Sequence, residues 1–494
     1  MPSRRRVALF GARALAGTVG LAVAVVVVGA AAVVPWPTLE RAPASVLVSP
    51  VPTEQQRVCP GPLLTLAEDS SQAQAATSVG PADAEFGANA TSAGSDWIRP
   101  SSTELAAPDN AKSDVDGAPR LVRVPVQDGA TTVPLVGASQ SQTAATDSLA
   151  GLAVAACAEA VSDAWLVGGS TDVGRTSLVL LSNPSTVVAA VDLAVYGEAG
   201  LVNAPGSTGI LVQPGAQRIV SLAGLAPNLR SPVVHVSSHG GQVAAALEQS
   251  VVRGLEPGGA EIVGSSAVPG LTQRIAGLLI TTQAAVAATD STGIAEDTPS
   301  VRILVPGDTA ATVELGVVGA GGQQVGIESE EGKPGGSSLQ VEIQPGIATE
   351  VPLVGLIPGA YSVELRSDQP IVAAAQASSV GTAGKDFAWF SASGTLDDDF
   401  LVAVAPGPGP ALHLVNTADE DATYTATPET GQPVTVTVPA GESGTLPLTA
   451  SARYLVSGGR TTVASVGYSG AGLVSSFTLG QAGPLAAPIQ VYPH

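Results

Sequence analysis

The chain runs to 494 residues with a formal net charge of −21, 45% hydrophobic residues and only 3% aromatics. That apolar content excludes disorder over most of the length, and the acidic balance excludes nucleic acid as a partner. With so few aromatics, the cores must be built from Val, Leu, Ile and Ala.

Residues 1–13 form a basic flank carrying Arg4, Arg5, Arg6 and Arg13, and Ala14–Val34 comes next as twenty-one residues without a charge. At 1.5 Å rise per residue such a stretch crosses a hydrocarbon core of about 30 Å, so 14–34 is expected to be a transmembrane helix. The basic flank holds the N-terminus in the cytoplasm, Trp36 stands where an interfacial aromatic belongs, and the rest of the chain is exported. A cleaved signal peptide is the alternative, with Ala30, Ala31 and Ala32 as its small-residue site. The apolar stretch exceeds the usual h-region of about 7–15 residues, which favours an uncleaved anchor. Flank and span hold four Arg and no acid, so the exported part carries −25 where the whole chain carries −21. Its dispersed acids keep a Val/Ala-rich surface soluble.

The two cysteines, Cys59 and Cys157, both lie on the exported side, where thiols oxidise and pairing is expected. A staple closing a loop of about 100 residues restricts the unfolded chain by about 4–5 kcal/mol in the entropy model. The spacing excludes Cys-x-x-Cys chemistry, and neither thiol has a histidine nearby in sequence to activate it.

A repeated pattern organises the exported part: an alternating apolar run, a Pro/Gly turn and a second run. Ile210–Leu222 turns at Pro214-Gly215, Val341–Leu353 at Pro345-Gly346, and Val434–Leu448 at Pro439 and Gly441. Short runs ending in Gly, Pro or Asp predict an all-β fold of tandem immunoglobulin- or fibronectin-like β-sandwich modules after the transmembrane helix. The expected bounds are 45–175 for module 1, 176–267 for module 2, 268–300 for a linker, 301–395 for module 3 and 400–490 for module 4. Module 1 is placed by matching Val124–Gly137 to the stretch ending at Gly355, and Asp163-Ala-Trp165 to Asp386-Phe-Ala-Trp389. That match makes Val46–Val48 its first strand, puts Cys59 and Cys157 on its second and last strands, and leaves 68–119 as an inserted loop. Four propeller blades about an axis are the other arrangement. Copies of about 90 residues exceed the usual blade of about 40–50, so a linear row is expected.

No complete catalytic constellation is found, and no metal or cofactor is expected. His235 and His239, four apart on a strand, stand about 13 Å apart, too far for one metal; His413 and His494 are isolated. Gly467-Tyr-Ser469-Gly-Ala471 lacks the last glycine of a nucleophile elbow. Gly381–Asp386 lacks the first glycine and the hydroxyl of a phosphate loop, and reads as a turn. Asp109-Asn110, Asp114 to Gly117, Asp397–Asp399 and Asp419–Asp421 fit no calcium loop and read as solvated turns. Trp165, Phe387 and Trp389 could stack on sugars, but their recurrence in two copies favours a packing role at module junctions. Asn89-Ala-Thr91 fits a glycosylation acceptor too weakly to use.

The N-terminal span, Cys59-Pro60-Gly61, Trp165 to Gly169 followed by Leu181-Ser-Asn-Pro184, and the Pro-Gly repeats together resemble domain-of-unknown-function family 5719, a group of membrane-anchored, exported actinobacterial proteins. The resemblance implies work at the cell envelope and brings no catalytic residues. The expectation is a non-enzymatic protein of the cytoplasmic membrane, its bulk extracytoplasmic, with a structural or binding role. Its partners would be the membrane, through a single span, and an envelope polysaccharide or envelope protein. The alternative is an envelope glycan-modifying enzyme or hydrolase using dispersed carboxylates, because paired acids need no local motif.

Overall fold

The computed structural model describes residues 46–48, 52–66, 76–90, 96–127, 129–130, 132–282, 297–319, 322, 325, 338–396, 399–480 and 489–491. They fall into two units, residues 1–50 with 487–494, and residues 51–486. In the smaller unit Val46–Val48 pairs antiparallel with Ile489–Val491. The stretch expected to open module 1 is thus paired with the C-terminal end of the chain. The basic flank with Arg4, Arg5, Arg6 and Arg13, the expected span 14–34 and Trp36 lie outside the described residues. Among the described residues no helix is long and apolar enough to cross a membrane.

The larger unit is built almost wholly of strands, with single-turn helices at Ser113–Asp116 and Leu222–Leu225. Alternation dictates the local structure. In Ala189–Gly197, Val191, Leu193 and Val195 turn inward at no more than 2% exposure, while Asp192 and Tyr196 turn outward. Eight strands make the repeating framework, to which this copy adds the short edge strand Gly200–Leu201: Asp163–Val167, Arg175–Asn183, Ala189–Gly197, Ile210–Val212, Ala216–Ser221, Val233–Gly240, Ala244–Arg253 and Glu256–Val263. The first, sixth, third and fourth form one sheet; the fifth, second, seventh and eighth form the other. The same order recurs from Gly270 to Ser391 and from Phe400 to Thr478. In the middle copy one 23-residue strand, Gly359–Gly381, serves as both the sixth and the seventh.

This order departs from the immunoglobulin and fibronectin expectation. An immunoglobulin sandwich puts its A, B, E and D strands in one sheet and C, F and G in the other. Here the third strand pairs with the sixth and the second with the fifth, as C with F and B with E, but the seventh pairs with the second and the first with the sixth. Alternation fixes which face of a strand is apolar, but its partner depends on which faces meet across the core.

The repeats also begin earlier than the expected boundaries. Asp163–Val167 opens the second repeat ahead of residue 176, and Gly270–Ile280 opens the third from within the expected linker. Register shifts in Gly270–Ile280 break the two-residue period, which hides the strand in the sequence. The expected loop 68–119 holds Asp83–Asn89 and Ser101–Glu104, disguised by small and polar residues, and Trp97–Ile98, too short to show a period. The first repeat keeps the sheet Trp97–Ile98, Asp83–Asn89, Leu135–Ala145, Ala150–Ala156 and reduces its partner sheet to three strands.

The repeats close into a ring rather than a row. Their last strands, Ala150–Ala156, Glu256–Val263, Gly384–Ser391 and Leu473–Thr478, each pack on the next, and the fourth packs on the first. The cores interlock in the same order. Leu304, Val372 and Trp389 of the third repeat join the core of the second, Val474 of the fourth joins the third, and Leu152 and Val154 of the first join the fourth. Leu178, Leu180 and Ile262 of the second complete the core of the first with Leu63 and Leu149. A row would leave an apolar face bare at each end. Closure buries both.

Candidate functional site: sealed carboxylates on the ring axis

Asp386 stands near the start of the third repeat's last strand, one residue past Lys385. Its carboxylate accepts backbone N–H groups from all four inner strands: Leu152 at 3.0 Å, Ala260 at 3.3 Å, Val474 at 3.2 Å and its own neighbour Phe387 at 3.0 Å. Glycine makes the approach possible. A side chain at Gly151 would collide with the Ala260 amide and the Asp386 carboxylate, and one at Gly259 with the Phe387 ring. Beside it, Glu261 Oε1 accepts the Ser475 hydroxyl at 2.8 Å and the Ile262 N–H at 2.9 Å, while its Oε2 is buried without a partner. Ser475 Oγ also takes the Val154 N–H at 2.8 Å, which ties the first repeat to the fourth.

Both carboxylates are sealed, Asp386 at 1% and Glu261 at 0% exposure. Burial pushes the Asp386 carboxyl up to about 7, against the opposing pull of its N–H donors. Burial also pushes Glu261 well above its ordinary range; the Ser475 hydroxyl opposes this and the Asp386 charge adds to it. The arrangement holds strands together across the axis and can store or release a proton.

The junctions between repeats carry a second set of buried polar groups. Arg302, 2% exposed, reaches from the third repeat into the second. Its Nη1 donates to Gly169 O at 3.0 Å and Pro232 O at 2.8 Å, its Nη2 to Arg230 O at 3.3 Å and Glu350 Oε1 at 2.6 Å, and its guanidinium lies 4.5 Å from the Trp389 ring centroid. Trp389 Nε1 donates to Gln249 Oε1 at 2.7 Å. His413 holds the corresponding register position in the fourth repeat, facing Ser465 as Arg302 faces Ala374. Gly277, at φ +72°, lets the third repeat close over the His413 ring. The ring bonds Thr445 Oγ1 through Nδ1 at 3.2 Å, leaves Nε2 without a partner, and is pushed down to about 4 by burial.

The residues singled out in the sequence are scattered over the ring. Cys59 and Cys157 form a disulfide between the strand Gln55–Cys59 and the residue after Ala150–Ala156. Trp165, Phe387 and Trp389 are buried at 5%, 1% and 2% in one core shared by the second and third repeats. They plug a junction and offer no exposed face to a sugar. The match of Asp163-Ala-Trp165 to Asp386-Phe-Ala-Trp389 is not a structural equivalence, since the first lies on an opening strand and the second on a closing one. His235 and His239 share the strand Val233–Gly240, and His235 Nε2 lies 2.7 Å from Asp163 Oδ2 under a stacked Trp165. Asp109, Asn110, Asp116 and Asp421 accept hydrogen bonds from Ile219 N, Ser78 N, Ser78 Oγ and Ala440 N. Among the described residues no three His, Cys, Asp or Glu side chains are placed to hold a metal. Asn89 is fully buried, and His494 lies outside the described residues. Sequence reasoning missed Asp386, Glu261 and Arg302, each of which bonds residues of other repeats far away in sequence.

Residues 110–451 match the model of a family described as "Family of unknown function (DUF5719)". The chain belongs to that family. The matched stretch contains Asp386, Glu261, Arg302 and His413 but ends before Ser475. No curated protein matches the sequence. Among solved structures, a protein titled Thermotoga maritima 1070 is 16% identical, with 26% of this chain and 93% of that one covered and a TM-score of 0.19. The BSP domain of a biofilm-associated protein is 10% identical over 91% of this chain and all of its own, with a TM-score of 0.14. The major pilin of Streptococcus pyogenes is 9% identical over 64% of this chain and all of its own, at 0.11. Scores this low carry no argument about fold or function.

Proposed function

We propose that this DUF5719 member is a non-enzymatic cell-envelope protein, anchored in the cytoplasmic membrane by residues 14–34, with its closed ring outside as a structural or binding body. The observation that carries the reading is the sealing of the two axial carboxylates. A glycan-modifying enzyme needs an acid and a partner carboxylate within reach of a glycosidic oxygen. Asp386 and Glu261, at 1% and 0% exposure, bond strands instead, and they give that alternative no support. The Cys59–Cys157 disulfide supports an oxidising compartment.

The partner of this body would be an envelope polysaccharide or envelope protein. The test is fractionation of cells carrying a C-terminal tag, followed by protease treatment of protoplasts. The reading expects membrane recovery and loss of the tag. A cytosolic protein or a protected tag overturns it.

A further inference from the structure

We propose that Asp386, Glu261 and Ser475 form a proton-dependent clasp, which holds the four-repeat ring closed and loosens it when the pair loses its last proton. Four N–H donors from four repeats converge on the Asp386 carboxylate. Such a set of donors suits the ionised form. Glu261 has the opposite surroundings. Its Oε1 is satisfied by Ser475 and Ile262, the Ser476 N–H also lies close to the carboxyl, and its Oε2 is buried without a hydrogen-bond partner. A negative charge on that oxygen would be uncompensated in the ring interior, so Glu261 must keep its proton while Asp386 is charged.

Among the described residues no positive side chain is in place to relieve the pair. The strands Ala150–Ala156 and Leu473–Thr478 carry no titratable residue. On the third repeat's last strand, Lys385 pairs outward with Asp297 at 3.3 Å. On Glu256–Val263 the other acid, Glu256, is exposed at the turn. On Ala244–Arg253, Arg253 donates to Gly258 O at 2.9 Å, and Glu248 is buried beside Leu64, whose N–H it accepts at 2.7 Å. Arg274, on the strand Gly270–Ile280 packed against Asp386's strand, is bonded to Glu364 at 2.7 Å. The remaining titratable groups of Gly359–Gly381, Tyr361, Arg366 and Asp368, lie in its first half, before it pairs with Asp386's strand. Loss of the proton therefore leaves two like charges with only amides and one hydroxyl between them. Their separation pulls the Leu152, Ala260 and Val474 N–H groups away from Asp386, and these bonds join separate repeats.

The experiment is hydrogen exchange on the full chain in detergent, read as protection factors of the Leu152, Ala260 and Val474 amides from pH 6 to pH 9. In the wild type protection of all three should fall together by about tenfold or more toward alkaline pH. Glu261→Gln, which cannot ionise, should hold them near the pH 6 level. Glu248→Gln, altering a buried acid away from the axis, should leave the wild-type fall in place. If Glu261→Gln does not fold, Ser475→Ala serves instead. It removes a bond that favours the charged carboxylate, so the fall should move to higher pH. Flat wild-type protection overturns the proposal, as does the same fall in Glu261→Gln, an abolished fall in Glu248→Gln, or an unmoved curve in Ser475→Ala.

Discussion

Replacing Arg302 by Met keeps an unbranched aliphatic side chain and removes the guanidinium. The substitution breaks the pair with Glu350, takes the donors from Gly169 O, Pro232 O and Arg230 O, and ends the contact with the Trp389 ring. Breaking a buried ion pair costs about 3–5 kcal/mol. The Glu350 side chain keeps 14% exposure and can partly rehydrate, which pulls the figure down. The abandoned carbonyls add about 1 kcal/mol each where water cannot reach them, so about 4 kcal/mol is the expected loss. Urea denaturation followed by tryptophan fluorescence reads it directly, because Trp389 lies at the same junction. The double variant Arg302→Met with Glu350→Leu should recover about half, since the orphaned charge is gone. A single-variant loss under about 1 kcal/mol, or no recovery in the double, would refute the view that this arginine keys the second repeat to the third.

His413 sets an acid-side prediction. Its ordinary value of 6.5 is pushed down to about 4 by burial, so the folded chain binds fewer protons than the unfolded between those values. Stability from this group is complete above pH 6.5 and falls by about 3 kcal/mol by pH 4, at 1.36 kcal/mol per unit. His413→Leu should remove that slope, and a wild-type-minus-variant difference that stays constant between pH 7 and pH 4 contradicts it. Replacing Cys59 and Cys157 by Ser should cost about 2–5 kcal/mol, checked by thermal unfolding with and without reductant. An unchanged midpoint would mean that the disulfide restrains nothing. Ser139 seals the fourth repeat against the first, donating to Ala403 O at 2.7 Å and accepting from Ala405 N at 3.0 Å. Ser139→Ala should cost about 1–2 kcal/mol in denaturant titrations, and a neutral result would argue against that seam as part of the closure.

Much of the candidate site was illegible for a definite reason. Asp386 follows a glycine-rich hairpin, and nothing local distinguishes it from a solvated turn acid. Its donors Leu152, Ala260 and Val474 lie 234, 126 and 88 residues away. Arg302 sits within the apolar run Val301–Val305 and reads as an outward-facing strand residue until the neighbouring repeat is laid over it. The packing role of Trp165, Phe387 and Trp389 was readable because large aromatics in a chain this poor in them have few places to go but a core. The match between their two motifs was misleading, because a short Asp-to-Trp spacing recurs without marking the same strand.

By itself the sequence determined the all-β class, the repetition, the inward and outward faces of strands such as Ala189–Gly197 and the pairing of its two cysteines. These come from local periodicity, turn residues and cysteine count, all written in neighbouring positions. Only the tertiary structure decided the strand order, the strands inside the expected loop and linker, the closure into a ring and the burial of Asp386 and Glu261 on its axis. Each of these depends on which apolar face meets which across long separations. That choice is made by the fit of whole sheets to one another and leaves no mark on any single stretch of the chain.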